Sequence, residues 1–315
     1  MKAAVRSKYG SPEVLTVKEV DPPIPKNDEV LIRVYATTVN RSDYHVLTGK
    51  PFFMRFITGL IAPTLSITGS DFAGQIEATS KNVKRFKVGD KVMGFIDMGA
   101  QSHAQYLCIS EEKVTSTPSN VTYKQAAACL EGAFYAISAI QKIKPMAGQK
   151  ALVIGGTGAI GSSYVQFLKF YGVYVTAVCG SENSELVRSL GASRIIDYKT
   201  EDFTQTSDQY DFVLDGVGKS GFGKCKHLLT PHGIFSSSQP NLVNSLLTSL
   251  RSGKKEVFAI PKDLMRNLGF IRDLVEKGKF IPVIDREYSM DKIADAYRYV
   301  ASGQKIGNVV ITYEG

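Results

Sequence analysis

Tryptophan is absent from this chain and cysteine is scarce, with Cys108, Cys129, Cys179 and Cys225 all at least 21 positions apart. That spacing excludes the C-x-x-C pairs of zinc ribbons and redox-active dithiols, and a reduced chain is expected. Long apolar runs are missing too. The most apolar loop-like stretch, Phe52 to Ile67, is broken by Arg55, Gly59 and Pro63, well short of the roughly 20 residues of a membrane-spanning helix. Met1 to Gly10 holds Lys2, Arg6 and Lys8 but no apolar h-region, so no signal or membrane span is expected and the expected location is the cytoplasm. Dense charge is also lacking: the formal net charge is +8, yet only Lys84-Arg85 and Lys254-Lys255 stand out as adjacent bases. With no basic patch interleaved with aromatics, nucleic acid is not an expected partner, and a phosphorylated small molecule accounts for the basic balance.

What is present suffices for two domains: 315 residues, 43% hydrophobic and 22% charged. One run separates them, Leu152-Val153-Ile154-Gly155-Gly156-Thr157-Gly158-Ala159-Ile160-Gly161. It reads as an apolar strand, a tight glycine turn and a helix predicted from Ala159 to Tyr171. Gly156, Gly158 and Gly161 fit G-x-G-x-x-G: the first permits the turn, the second lets backbone N–H groups approach phosphate oxygens, and the third lets helix and strand pack closely. The helix N-terminus adds partial positive charge. A plain strand-to-helix connector uses the same glycines, so the pattern by itself leaves both readings open.

Residues 1–118 read as strands and turns forming a small β-barrel: 1–6, 13–19, a half-buried strand from Val30 to Thr38, and strand-and-turn pairs at 69–77 and 87–94. A short helix after Asn40 is capped by Ser42 or Asp43. One helix is predicted over 122–143. Beyond the glycine run, strands at 173–178, 194–196, 212–214, 233–236 and 257–260 alternate with helices and complete a doubly wound parallel sheet of six. A helix at 263–277, a link at 280–283, a helix at 291–301 and a strand at 309–312 lead the chain back. The expected domains are therefore 1–118 with 281–315, and 119–280.

Six segments in order then carry a resemblance: Asn40…Asp43, Gly69-Ser70-Asp71-Phe72-Ala73-Gly74, Phe86-Lys87-Val88-Gly89-Asp90-Lys91-Val92, the turn at 155–161, Leu190-Gly191-Ala192 followed by Asp197-Tyr198, and Gly307-Asn308-Val309-Val310-Ile311. The chain is similar to the medium-chain dehydrogenase/reductase superfamily, within it to the zinc-independent quinone oxidoreductase branch that includes zeta-crystallin. The resemblance implies an α/β protein with a GroES-like β-barrel catalytic domain, a Rossmann domain with a doubly wound parallel sheet, NAD(P)H, and a homodimer. Zinc-dependent members carry a cysteine in the segment aligned with 39–43 and a His-Glu pair at 69–71. This chain has neither, and His45 and His103 are widely spaced, so no metal is expected. The implied reaction is hydride transfer to a quinone or to the activated C=C bond of an enone or enal, whose conjugation accepts the charge. Alcohol oxidation ranks lower, and a non-catalytic NADPH-binding interaction or sensor protein is the alternative.

By the same resemblance Asn40 lies by nicotinamide and substrate, its amide donating to a carbonyl oxygen as charge develops; a turn or helix cap is the competing role. Tyr44 is a candidate for substrate contact or proton delivery, or else a core side chain. His45 is a proton relay or an exposed helix residue. Gly156, Thr157, Gly158, Ala159, Ile160 and Gly161 are the expected diphosphate contacts, with Ser236 and Asn308 as further cofactor contacts. About 20 residues past the turn an NAD site carries Asp or Glu for the ribose 2′-hydroxyl. Here the chain reads Cys179-Gly180-Ser181-Glu182-Asn183, which favours NADPH, with Ser181, Asn183 and Tyr198 on the 2′-phosphate unless Glu182 swings inward. Tyr135 stands where the resembling reductases usually have a nicotinamide-side threonine.

Overall fold

The computed structural model describes residues 1–97, 99–239, 242–249, 253–259 and 261–313. In chain order its elements are β1 (Lys2–Val5), β2 (Thr16–Glu19), β3 (Glu29–Val39), α1 (Arg41–Thr48), α2 (Met54–Thr58), β4 (Asp71–Thr79), β5 (Lys91–Phe95), β6 (Tyr106–Ser110), β7 (Val114–Ser116), α3 (Tyr123–Ala128) and α4 (Glu131–Ile143). There follow β8 (Lys150–Ile154), α5 (Ala159–Phe170), β9 (Tyr174–Cys179), α6 (Ser184–Leu190), β10 (Arg194–Asp197), β11 (Tyr210–Asp215), α7 (Phe222–Cys225), β12 (Leu229–Ser237), α8 (Leu242–Ser249), β13 (Lys255–Glu256), α9 (Leu264–Glu276), β14 (Ile284–Ser289), α10 (Ile293–Ala301) and β15 (Asn308–Thr312).

These elements form two compact units, one of Met1–Glu131, Leu268–Glu276 and Pro282–Gly315, the other of Gly132–Asn267 and Lys277–Ile281. The first unit thus runs past the expected residue 118, because α3 packs on β3 and β4. Its largest sheet has the order β14-β15-β3-β4-β5-β7, with β6 also paired to β3. Strand β3 organises it. Its burial alternates along the first half and becomes continuous toward Val39, so its far end runs through the interior and delivers Thr37, Thr38 and Asn40 into the core. Strand β4 approaches closely there: a Cβ on Gly74 would lie 2.1 Å from the carbonyl oxygen of Arg33. Strand β14, parallel to β15, has no counterpart in the sequence reading, since its partly exposed residues show no period-2 pattern.

In the second unit the sheet order is β10-β9-β8-β11-β12-β13, every pair parallel. Ala151–Ile154 and Val175–Cys179 are buried without alternation, as strands covered on both faces must be. The sixth strand lies at Lys255–Glu256, ahead of the predicted 257–260; Val257 retains one bond, to the Phe235 carbonyl at 2.8 Å, and Ile260 lies outside the described residues. The single helix predicted over 122–143 is two helices. Cys129, with φ −91° and ψ 6°, ends α3, and a fresh helix starts at Glu131. The run of small apolar residues there gave no breaking signal.

Asp215, at the carboxyl end of β11, is fully buried. Its carboxylate accepts the backbone N–H groups of Val217 and Gly218, both at 2.9 Å, and of Ser220 at 2.7 Å, holding the loop that follows. Asp215→Ala leaves those donors unanswered and should lower stability by about 3 kcal/mol, measured as a fall in urea midpoint at unchanged slope.

Candidate functional site

In the second unit, β8 ends at Ile154 and the chain turns on Gly155, whose φ of +75° is left-handed. The freedom assigned to Gly156 therefore belongs one residue earlier. Gly156 serves packing instead, since a Cβ there would lie 3.0 Å from that of Ala177. The N–H groups of Gly155 and Gly156 both reach the Val178 carbonyl at 3.0 Å, tying the turn to β9. A Cβ on Gly161 would lie 2.0 Å from the Gly155 carbonyl oxygen, so α5 rests directly on the turn. Gly158 caps α5, and a Cβ on it would meet only the Gly155 oxygen, at 3.7 Å. This side of the turn is open backbone at the head of a twelve-residue helix, with Thr157, Ala159 and Ile160 around it, which fits a diphosphate.

The parallel register sets Asp197 beside Cys179, which places Ser181, Asn183 and Tyr198 at neighbouring strand ends. Ser181 and Tyr198 are exposed and Asn183 half-buried. Glu182 pairs with Lys199, Oε1 to Nζ 2.8 Å, and that bond holds its carboxyl below the usual range. Lys199 is a residue the sequence reading passed over. It follows Tyr198 in a strand-end turn, and only the pairing of β9 with β10 brings it beside Glu182. Ser236 is buried within β12.

In the first unit the end of β3 and the start of α1 enclose a buried polar cluster. Asn40, not Ser42 or Asp43, is the N-cap of α1. Asp43 instead sits at N3, accepting the Asn40 N–H at 2.8 Å on one oxygen and the Ser70 hydroxyl at 2.6 Å on the other. Asp71 accepts the Thr38 N–H at 2.9 Å and its hydroxyl at 2.7 Å. The Asn40 amide nitrogen donates to Thr38 Oγ1 at 2.5 Å and to Asp71 at 3.3 Å. His103 donates from Nε2 to the Thr38 carbonyl at 2.9 Å, so its Nδ1 accepts from Thr68 Oγ1, also at 2.9 Å. Tyr297 donates in turn to Thr68 at 2.9 Å. Burial lowers the His103 pKa and this imidazole is neutral.

Glu131, at the first position of α4, is 6% exposed. Its Oε1 accepts the Ser42 hydroxyl at 2.5 Å, while Oε2 is buried without a hydrogen-bond partner among the described residues. Lys305, half-buried, donates to the Gly307 carbonyl at 2.5 Å. Burial pulls its pKa down to about 8, opposed first by the attraction of Glu131. Burial, then the repulsion of Asp43 and Asp71, pushes the Glu131 carboxyl well up. Burial also raises Asp43, and burial with the Asp43 charge pushes Asp71 up to about 7.

The remaining candidates lie nearby in sequence or fold. Tyr44 is half-buried against the core of this unit. His45 is half-buried rather than exposed, its Nδ1 enclosed without a hydrogen-bond partner among the described residues, and burial lowers its pKa. Asn308 is buried and pins residue 283, giving the Val283 carbonyl both its backbone N–H, at 2.8 Å, and its amide, at 3.0 Å. Tyr135 is half-buried, with its ring against Phe134. Among the described residues no group of three or more His, Cys, Asp and Glu side chains is arranged to hold a metal ion, and no helix is long and apolar enough to cross a membrane.

Asp71 makes this cluster measurable. An unfolded Asp releases its proton near pH 4, whereas the folded protein holds it to about 7. The native state therefore binds more protons across that interval. The stability Asp71 gives is complete below about pH 4 and is lost as pH rises toward 7, at about 1.4 kcal/mol per pH unit. Asp71→Asn mimics the protonated form and should flatten the decline, read as urea midpoints at pH 4.5, 5.5 and 6.5.

The alcohol dehydrogenase GroES-like domain matches residues 26–139, and the zinc-binding dehydrogenase domain matches residues 190–311. The chain is 31% identical to the 2-methylene-furan-3-one reductase of Solanum lycopersicum, over 99% of this chain and 79% of that one. It is 30% identical to the chloroplastic NADPH-dependent alkenal/one oxidoreductase of Arabidopsis thaliana, with the same coverage. Identity is 29% with the mitochondrial NAD(P)H oxidoreductase RTN4IP1 of Homo sapiens, over 99% of this chain and 89% of that one. The solved quinone oxidoreductase of Coxiella burnetii superposes with a TM-score of 0.87 at 24% identity, covering 100% of this chain and 99% of that one, a likeness of fold. With both domain types in order and 31% identity along nearly its whole length, the chain belongs to the medium-chain dehydrogenase/reductase superfamily, in its quinone oxidoreductase branch, and is a nicotinamide-dependent oxidoreductase acting on small molecules.

Proposed function

We propose that the protein is an NADPH-dependent, metal-independent reductase of quinones or of the activated C=C bond of enones and enals. The observation that carries this reading is the buried cluster at the end of β3. Its oxygens are already engaged by N–H and O–H donors from Thr38, Asn40 and Ser70, so it offers hydrogen bonding rather than a ligand set. An acceptor treated there must carry its own activation, as a conjugated carbonyl does. The relatives named for alkenals, furanones and quinones support the same substrate class.

When bound, the dihydronicotinamide supplies a hydride. Gly156, Thr157, Gly158, Ala159, Ile160 and Gly161 hold the diphosphate in this reading, with Ser236 and Asn308 as further cofactor contacts. Ser181, Asn183, Tyr198 and Lys199 receive the 2′-phosphate. Glu182, engaged by Lys199, changes partner when a phosphate takes the ammonium. The Asn40 amide releases its longer bond, 3.3 Å to Asp71, and turns it on the acceptor's oxygen as negative charge develops there. Tyr44 completes the substrate's surroundings.

Two measurements test this. NADPH should bind at least about tenfold more tightly than NADH, a difference of about 1.4 kcal/mol, and tighter NADH binding removes the cofactor assignment. The purified protein should oxidise NADPH with enones or quinones, and Asn40→Ala should lower kcat about 100-fold with the NADPH Kd unchanged. Tight NADPH binding without oxidation across a panel of both acceptor classes overturns the reductase reading in favour of a cofactor-binding sensor.

A further inference from the structure

Hydride transfer to an enone is half of a reduction, and the other half needs an acid. The hydride and its electron pair form the new C–H bond at the β-carbon. The C=C pair then moves onto the α-carbon and carbonyl oxygen as an enolate, which has to collect a proton. Asn40 lacks an acidic proton, and the Tyr297 and His103 donors of the first unit are spent on Thr68 and on the Thr38 carbonyl.

Glu131 is different. Ser42, in the first turn of α1, fixes one of its oxygens at 2.5 Å, within two residues of Asn40. The other oxygen is buried and has no hydrogen-bond partner among the described residues. A buried polar atom left open in this way is either a defect or a place kept for a ligand. Around it stand Asp43 from α1, Asp71 from β4, Asp97 from the segment after β5, and Lys305 from the segment before β15. Arg41 and Asp285 act on Lys305 in turn. Burial first, and then the charge of these three acids, press Glu131 to stay neutral, and one half-buried ammonium stands ready to offset the charge once the proton has left.

We infer that Glu131 donates, from its unpartnered oxygen, the proton that completes reduction of a conjugated carbonyl, with Lys305 steadying the carboxylate until water reprotonates it. The enolate α-carbon gains the bond to hydrogen, the O–H pair stays on Glu131, the substrate gains two electrons and the nicotinamide loses two. This rests on the reductase reading above and adds the acid to it. Raised as it is, the Glu131 carboxyl keeps its proton to higher pH than an exposed glutamate, and turnover should fall as pH climbs through its pKa.

The test is stereochemical. 2-Methylcyclohex-2-enone acquires a stereocentre at the α-carbon, and in D2O deuterium enters there. Wild-type protein should deliver it to one face; a racemic α-centre from wild type overturns the proposal whatever any variant does. Glu131→Gln keeps shape and the Ser42 bond but has no acid. It should lower kcat on the enone about 100-fold and lose α-face selectivity, while β-face hydride selectivity and NADPH affinity stay. Quinone reduction, whose product oxygens take protons from water, should change less than about threefold. Unchanged α-selectivity and rate in Glu131→Gln overturn the inference and leave the reductase reading standing, as does a wild type that reduces quinones but no enone. A wild type that binds NADPH yet reduces neither class overturns both.

Discussion

Two carboxylates kept side by side in the dark govern the first unit. Asp43 and Asp71 are 2% and 1% exposed, and a pair so placed cannot ionise fully without a large desolvation and repulsion cost. What makes the arrangement tolerable is the donor set wrapped around it. Thr38 gives two bonds, Ser70 one, and Asn40 its backbone and amide. Those same bonds fix where β3 stops, how α1 starts and which way Ser42 points. The geometry proposed for substrate is thus a by-product of satisfying buried acids, and the protons they share belong to the set rather than to one residue.

The second unit answers to a steric constraint of comparable strictness. A helix head can present its N–H groups to a diphosphate only if nothing stands in front of it, and the turn achieves this by omitting side chains. Gly155 supplies the left-handed backbone, Gly156 the fit against Ala177, and Gly161 the contact with the Gly155 carbonyl. The Asp215 carboxylate plays the opposite part at the next strand, where three backbone donors are consumed internally. The N–H groups of Gly155, Gly156 and Gly158 are consumed internally as well, so a guest at the turn is left those of the first turn of α5.

Much of this could be read in the sequence, and the reason is local chemistry. Glycine spacing, a continuous apolar strand and an amphipathic helix are encoded within a few residues, so the turn and the parallel sheet were legible. The motif spacing assigns the turn to Gly156, whereas the left-handed residue is Gly155, because two consecutive glycines look alike in one dimension. The break at Cys129 was hidden by a uniformly small, apolar run that suits one helix or two. Glu131, Lys305 and Lys199 carried no motif at all. Ser42 and Glu131 lie 89 positions apart, and Lys199 meets the end of β9 only through strand pairing. Tertiary contacts of that span leave no trace in a short window, and neither does the unpartnered oxygen that separates Glu131 from the other acids.

The packing of Gly161 on the Gly155 carbonyl carries a consequence for where a cofactor preference can be set. In the proposed reading the diphosphate is gripped by bare backbone, and the turn leaves little room to alter it, since a Cβ on Gly155 or Gly161 would lie 2.0 Å from the Val217 side chain or the Gly155 carbonyl oxygen. In the same reading, preference among cofactors is set elsewhere, at the ends of β9 and β10, where Ser181, Glu182, Tyr198 and Lys199 are exposed and can be exchanged without disturbing the turn. Grip and discrimination are in this reading separate, one set by steric fit within the turn and the other by side chains at the surface.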